Sequence, residues 1–325
     1  MSSAARPVLV VAEKLDAAAD MVVDQLNQRD VPVMRFDAAS FPQHVTLSAE
    51  HGHTGPGWGG VIEDEFRTAR LEDIRAVYYR RPGRPQIVDT VPEPFRTWAQ
   101  NQADCALLNV LAALPVRWIN NPHLDRIAAH KPQQLVAATR AGLRVPRSLI
   151  TNDPEAAREF AKRLDGPMIS KPVLGGRLPT REGRSLMVAT HKVDAADFDD
   201  TIGLTAHYFQ EDIPKAYEVR LVVVDGNLFA AKLTGTSDKA RTDWRTDYEH
   251  IDYDTTTVPD HVATAVRRFM ASYGIVFGSM DFAVTPDDDW VFFENNPAGT
   301  WAWVENHSGL PIAAAHADYL QGANE

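Results

Sequence analysis

Gly278-Ser-Met-Asp281-Phe-Ala-Val284 and Trp290-Val-Phe-Phe-Glu294-Asn-Asn296-Pro297, joined by Thr285-Pro-Asp-Asp-Asp289, decide the reading of this chain. The two apolar runs flank a turn sequence and are predicted to pair as a β-hairpin. Symmetry about the Asp287/Asp288 midpoint sets Asp281 directly opposite Glu294, and Asn296 joins their face two residues on. Like charges opposed across a sheet are destabilising, whereas a hard divalent cation such as Mg2+ takes oxygen ligands of this kind and keeps positions open for phosphate. Asp281, Glu294 and Asn296 are therefore candidate metal ligands. The plainer alternative is a carboxylate solvated at a sheet edge. Phe282, Val284, Val291 and Phe293 argue against it, because they would bury the opposite face and fix the register.

Working outward, two lysines complement these acids. Lys171 ends a predicted strand, Met168 to Lys171, just before a polar Gly- and Arg-rich flap, Gly175 to Arg184, that contains Gly176. Lys131 stands near the start of a helix after Asn120-Asn121. Each can hold polyphosphate as a point charge, although a lone lysine is more often a solvated surface group. Gln210-Glu211-Asp212-Ile213 ends another strand, where an adenine can bond to backbone groups and an acidic side chain can take ribose hydroxyls. Arg220 and Lys232 lie on two arms of a hairpin around Asp225-Gly226. A two-residue turn puts them on opposite faces, an odd-length loop on the same face, and the sequence leaves that open.

The chain has 325 residues, 44% hydrophobic and 24% charged, which predicts two or three ordinary globular domains. A formal net charge of -11 disfavours nucleic acid as a partner. The single cysteine, Cys105, excludes an intrachain disulfide and a Cys-built metal site, which fits a reducing compartment, the cytoplasm. It lies in an apolar helical run and is expected in the core. No stretch reaches the roughly 20 apolar residues of a membrane span, and the N-terminus lacks a signal-peptide core. Three regions are expected: an α/β unit at 1–118, a central unit at 119–206, and a C-terminal unit at 207–325.

Two motifs mislead. Gly55-Pro-Gly57-Trp-Gly-Gly60 matches the dinucleotide fingerprint in letters, but strand-like Val61-Ile-Glu-Asp follows where a helix should open. His51-Gly-His53 lacks a third ligand, so loop histidines are the better reading.

In their order, these residues resemble the ATP-grasp superfamily over about the last two-thirds of the chain. The resemblance implies an α/β, three-domain architecture: an N-terminal pre-grasp domain, then central and C-terminal α+β domains with the nucleotide between them. It casts Lys131, Lys171, Gly175, Gly176, Gln210, Glu211, Ile213 and Glu218 as ATP-binding residues, and Asp281, Glu294 and Asn296 as Mg2+ ligands. Glu218-Val-Arg220 is similar to the Asp-Ile-Arg element of the ribosomal protein glutamate ligases. Ala76-Val-Tyr-Tyr-Arg80-Arg81-Pro82 is similar to the Tyr-Arg-Arg-Pro segment of the graspetide synthetases, particularly their actinobacterial branch. Membership there implies activation of Asp or Glu carboxylates of a ribosomal precursor peptide as acyl phosphates. These would be joined to Ser/Thr hydroxyls or Lys amines, with ADP released. It further implies recognition of the peptide through a leader, a homodimer, and catalytic roles for Arg220, Lys232 and one of Arg80 and Arg81; a surface ion pair is the alternative for those two. The flap is longer and richer in Arg than in simpler members. The competing readings are a ligase for an amino acid or protein tail, and a non-catalytic ATP-binding regulator.

Overall fold

The computed structural model describes residues 6–52, 56–175, 177–179 and 185–322. The first region is built on a parallel sheet of strands Val33–Phe36, Val8–Ala12, Ala76–Arg80 and Arg117–Ile119, in that spatial order. Val8–Ala12 is buried along its whole length, as a parallel strand covered on both faces must be. Leu9 and Val11 enter one core, which also contains Leu107 and Leu111 of the helix Phe95–Ala112. Val8 and Val10 enter another, shared with the C-terminal helix Ile312–Gln321. Asp16 caps the helix Ala17–Asn27 by accepting from the Ala19 amide. A three-stranded antiparallel sheet, Val45–His51, Trp58–Asp64 and Thr68–Arg70, follows the misleading glycines with strand and not helix. His51 packs edge-on against Trp58, while His53 and Gly55 lie outside the described residues.

The central sheet runs His191–Val193, Met168–Lys171, His207–Glu211, Ser148–Thr151. His207–Glu211 pairs on both sides within it, so the expected boundary at 206/207 cuts through one sheet. The flap is not wholly irregular: Arg177–Pro179 pairs antiparallel with Ser185–Met187. Gly176 lies outside the described residues.

The last sheet has five antiparallel strands in the order Ile251–Thr255, Asn227–Gly235, Tyr217–Val224, Phe277–Val284, Trp290–Asn296. One face packs on the helices Lys131–Ala141 and Asp260–Tyr273 through Val219, Leu221, Met280 and Phe282. The other face is divided. Val222, Val224 and Phe277 continue into the core of the first region, whereas Glu218, Arg220 and Asp281 are also buried but face a cavity. The polar stretch 234–254 holds a short helix, Asp238–Thr242, and the edge strand; a further short helix, Ala302–Ser308, was not legible in the sequence.

Two expectations need correcting. Cys105 is exposed, because the buried stripe of its helix runs through Leu107 and Leu111. The decisive hairpin is also not symmetric about Asp287/Asp288. Val284 pairs with Trp290 and Phe282 with Phe292, and a bulge then restores Asp281 opposite Glu294. The extra residue moves Val291 and Phe293 to the face opposite that of Phe282 and Val284, where they pack with Ala283 and Ile213.

Candidate active site

The bulge decides what the site looks like. It lets Asp281 and Glu294 share a face while turning Phe293 into the same cavity, a space of about 450 Å3 between the central and last sheets. Lys131, Lys171, Gly175, Gln210, Ile213, Glu218, Asp281, Glu294 and Asn296 all line it. Lys131 opens its helix and reaches the Pro172 carbonyl at 3.2 Å and Glu294 Oε2 at 3.1 Å. One turn along that helix, buried Gln134 bonds the backbone of Asn295 in both directions, at 2.8 Å each. The helix carrying Lys131 is thereby fixed to the strand carrying Glu294.

Lys171 holds its ammonium 4.9 Å from the Tyr208 ring centroid and 5.9 Å from that of Phe293. Burial pushes its pKa down to about 8, and Glu294 acts in the opposite sense. Glu294 is itself buried, which favours its neutral form, but Lys131, Lys171 and Arg245 prevail and hold its carboxyl below the usual range. Burial raises Glu218 to about 6 despite its 2.5 Å pair with Lys215. Gln210 donates to Ser148 Oγ and Tyr208 OH, while its Oε1 is buried without a partner among the described residues.

Arg220 donates from Nη1 to Asp281 Oδ1 at 2.7 Å and from Nη2 to the Thr300 carbonyl at 3.2 Å, and its Nε has no partner among the described residues. Lys232 is different. Val224 pairs with Asn227 across Asp225-Gly226, whose φ values of 47° and 76° are those of a two-residue primed turn. Lys232 consequently stands opposite Val219, on the face away from Arg220, with its ammonium 4.5 Å from the Tyr217 ring centroid and outside the cavity. Glu211 is likewise turned away: its carboxylate accepts from the Arg147 amide, and strand alternation gives the cavity to Gln210 and Asp212 instead.

Arg80 and Arg81 part as alternation requires, in the opposite sense to a substrate role for Arg80. Arg80 is buried, donating to the Ala298 carbonyl at 2.7 Å with Asp16 at 3.6 Å. Arg81 leaves the strand with φ of 46° and lines a second cavity of about 980 Å3 together with Arg126, Arg220 and Arg245. Arg245 and Asn296 line both cavities and form their junction. No motif marks Arg245 in the sequence; its companion Asp243, buried and bonded to it at 2.9 Å, is a signal visible only in the fold.

The donor chemistry fits a hard cation. Two carboxylates in register and an amide two residues further along the strand border one cavity, and their charge is balanced by Arg220, Lys131 and Arg245. The unpartnered Gln210 Oε1 and Arg220 Nε fit a ligand that brings both a donor and anionic oxygens.

Comparison with known proteins agrees with this geometry. Residues 7–126 match the MvdD pre-ATP grasp domain family. The chain is similar to the macrocyclase MdnC of Microcystis aeruginosa, solved with the precursor peptide MdnA, at 25% identity and a TM-score of 0.83 over 96% of this chain and 98% of that one. It is similar to a RiPP-associated ATP-grasp ligase of Chryseobacterium gregarium, solved with ADP and a leader and core peptide, at 25% identity and a TM-score of 0.88 over 97% and 96%. The chain is an ATP-grasp ligase. A third similar structure, the macrocyclase MdnB of Microcystis aeruginosa, has 28% identity and a TM-score of 0.78 over 96% and 98%. The ligase has no helix among its described residues long and apolar enough to cross a membrane.

Proposed function

We propose that this ATP-grasp ligase is a graspetide synthetase. It activates Asp or Glu side chains of a ribosomal precursor peptide, recognised through its leader, and joins them to Ser/Thr hydroxyls or Lys amines to close rings. The observation that carries this reading is the joining of two cavities at Arg245 and Asn296, one furnished for a nucleotide and the other open, larger and walled by arginines. A small amino-acid substrate would not need a space of about 980 Å3.

Bound ATP would supply a phosphoryl group that makes a carboxylate electrophilic; Asp281, Glu294 and Asn296 would hold Mg2+, which would screen the phosphate charges. Lys131 and Lys171 offset negative charge on the nucleotide side. Gln210 and Asp212 present polar groups where a base and ribose would sit, and Phe293 and Ile213 give the cavity apolar walls. Arg220 reaches the junction through the Asp281 and Thr300 contacts and is placed to steady the transferred group. Arg81 offers a planar fork to a peptide carboxylate.

The test is incubation with the short peptide encoded in the reading frame beside that of this chain, with ATP and Mg2+. Loss of one water per bond formed, matched by one ADP, is expected. Stoichiometric AMP, or addition of a free amino acid to the peptide, would exclude the proposed reaction.

A further inference from the structure

The larger cavity has guanidinium groups on several sides, and Asp125 is the one carboxylate among its described lining residues. Asn120 fixes it. That amide accepts from the backbone of Val276 and Phe277, donates to the Phe277 and Pro297 carbonyls, and donates to Asp125 Oδ1 at 2.8 Å. Asp125 is thereby tied to the backbone that follows Asn296, while its Oδ2 has no side-chain or backbone partner among the described residues. A carboxylate held by one oxygen beside a reaction junction, with the other oxygen left to a substrate, is the geometry of a proton acceptor.

Resting on the macrocyclase reading above, we propose that Asp125 is the general base of the second half-reaction, accepting a proton from the hydroxyl or amine that attacks the activated carboxylate. The nucleophile's oxygen or nitrogen bonds to the acyl carbon as its proton passes to Asp125 Oδ2. The bond between the acyl carbon and the phosphate oxygen breaks, and its electron pair leaves with phosphate. Asp125 then gives the proton to solvent.

The surroundings suit this role. Burial raises Asp125 to about 7, opposed by the Asn120 bond and the charge of Arg80. Tyr79, itself held high by burial, and Arg126 on the same short helix are its other titratable neighbours, and the rest of the cavity wall carries Arg81, Arg220, Arg245, Tyr248, Tyr253 and His307. Above about 7 the carboxylate is free to accept a proton, and below it the group is protonated. Crosslinking should therefore rise with pH through this value and level off.

The experiment compares the unaltered chain with Asp125→Asn and Asp125→Glu on the same neighbouring-frame peptide with ATP and Mg2+, with and without hydroxylamine. Hydroxylamine intercepts an activated carboxylate as a hydroxamate without needing the enzyme's base. Asp125→Asn should still form hydroxamate, should crosslink about 100-fold or more slowly, and should lose the rising pH limb. Asp125→Glu should recover part of the rate with the limb restored. Crosslinking by Asp125→Asn at the unaltered rate would overturn the assignment. So would loss of hydroxamate in step with crosslinking, which would place Asp125 in activation or folding. Absence of hydroxamate from the unaltered chain would overturn the macrocyclase reading and this inference with it.

Discussion

Lys171 shows how a single side chain trades stability for binding. An ammonium enclosed by Tyr208 and Phe293 loses hydration that only a bound anion replaces, and its lowered pKa expresses that cost. The unfolded chain binds the proton more tightly than the folded one, so the cost is full below about 8 and fades as pH rises from there toward the ordinary lysine value. Lys171→Met should accordingly raise the melting temperature of the ligand-free protein at pH 7, with a gain that shrinks toward pH 10, and should abolish the further rise caused by ATP with Mg2+. Melting curves across pH, with and without nucleotide, check both signs; a lower ligand-free melting temperature would contradict the argument. Glu294 is the converse case, a buried carboxylate held ionised by Lys131, Lys171 and Arg245. Glu294→Gln keeps its shape and removes its charge, so the chain should fold at a lower melting temperature while crosslinking collapses. Near-normal turnover at limiting Mg2+ would remove Glu294 from the metal site.

At the scale of an element, the strand Ala76–Arg80 assigns different work to adjacent arginines. Arg80 stays in the sheet and holds the Ala298 carbonyl, whereas Arg81 departs in a left-handed conformation toward the larger cavity. Arg80→Met should cost about 1 to 3 kcal/mol of stability, the penalty for stranding a buried acceptor. Arg81→Lys should leave stability and ATP affinity unchanged and slow crosslinking, because an ammonium cannot reproduce the planar fork. Denaturant midpoints, nucleotide titration and crosslinking rates separate the two; a loss of ATP affinity in Arg81→Lys would move that residue into the nucleotide site. Alternation alone foretold that these arginines diverge, but not which enters the cavity, since φ at Arg81 is set by tertiary context. The same limit applies to Lys232, whose face the sequence leaves open, and to Phe293, which it assigns to the wrong face. Lys232 depended on a turn type that Asp225-Gly226 permits but does not dictate, and Phe293 on a bulge that periodicity cannot show. Asp281 opposite Glu294 was foretold from a symmetric hairpin, and the structure reaches it by another register.

On the scale of the molecule, order along the chain carried more information than any one motif. Lys131, Lys171, Gln210, Arg220, Asp281 and Glu294 come from a helix and the strands of two sheets, yet they line two cavities that meet at Arg245 and Asn296. Ala302–Ser308 and the stretch around Arg245 derive their structure from packing, with Trp244 and Trp303 in ring contact. The same arrangement dictates how a ligand should be felt. A nucleotide between the central and last sheets adds contacts to both, stabilising them by about 2.7 kcal/mol at a hundredfold excess over Kd. The sheet Val45–Arg70 belongs to a separate hydrophobic core with Leu107 and Leu111, containing no residue of the nucleotide cavity. With a non-hydrolysable ATP analogue and Mg2+, amide exchange should slow in Met168–Lys171, His207–Glu211 and the hairpin Phe277–Asn296, and remain unchanged in Val45–Arg70. Mass-resolved hydrogen exchange with and without the analogue makes the comparison. Protection confined to one of the two sheets would place the nucleotide outside the space between them, and equal protection of Val45–Arg70 would mean that the first region opens only together with the rest.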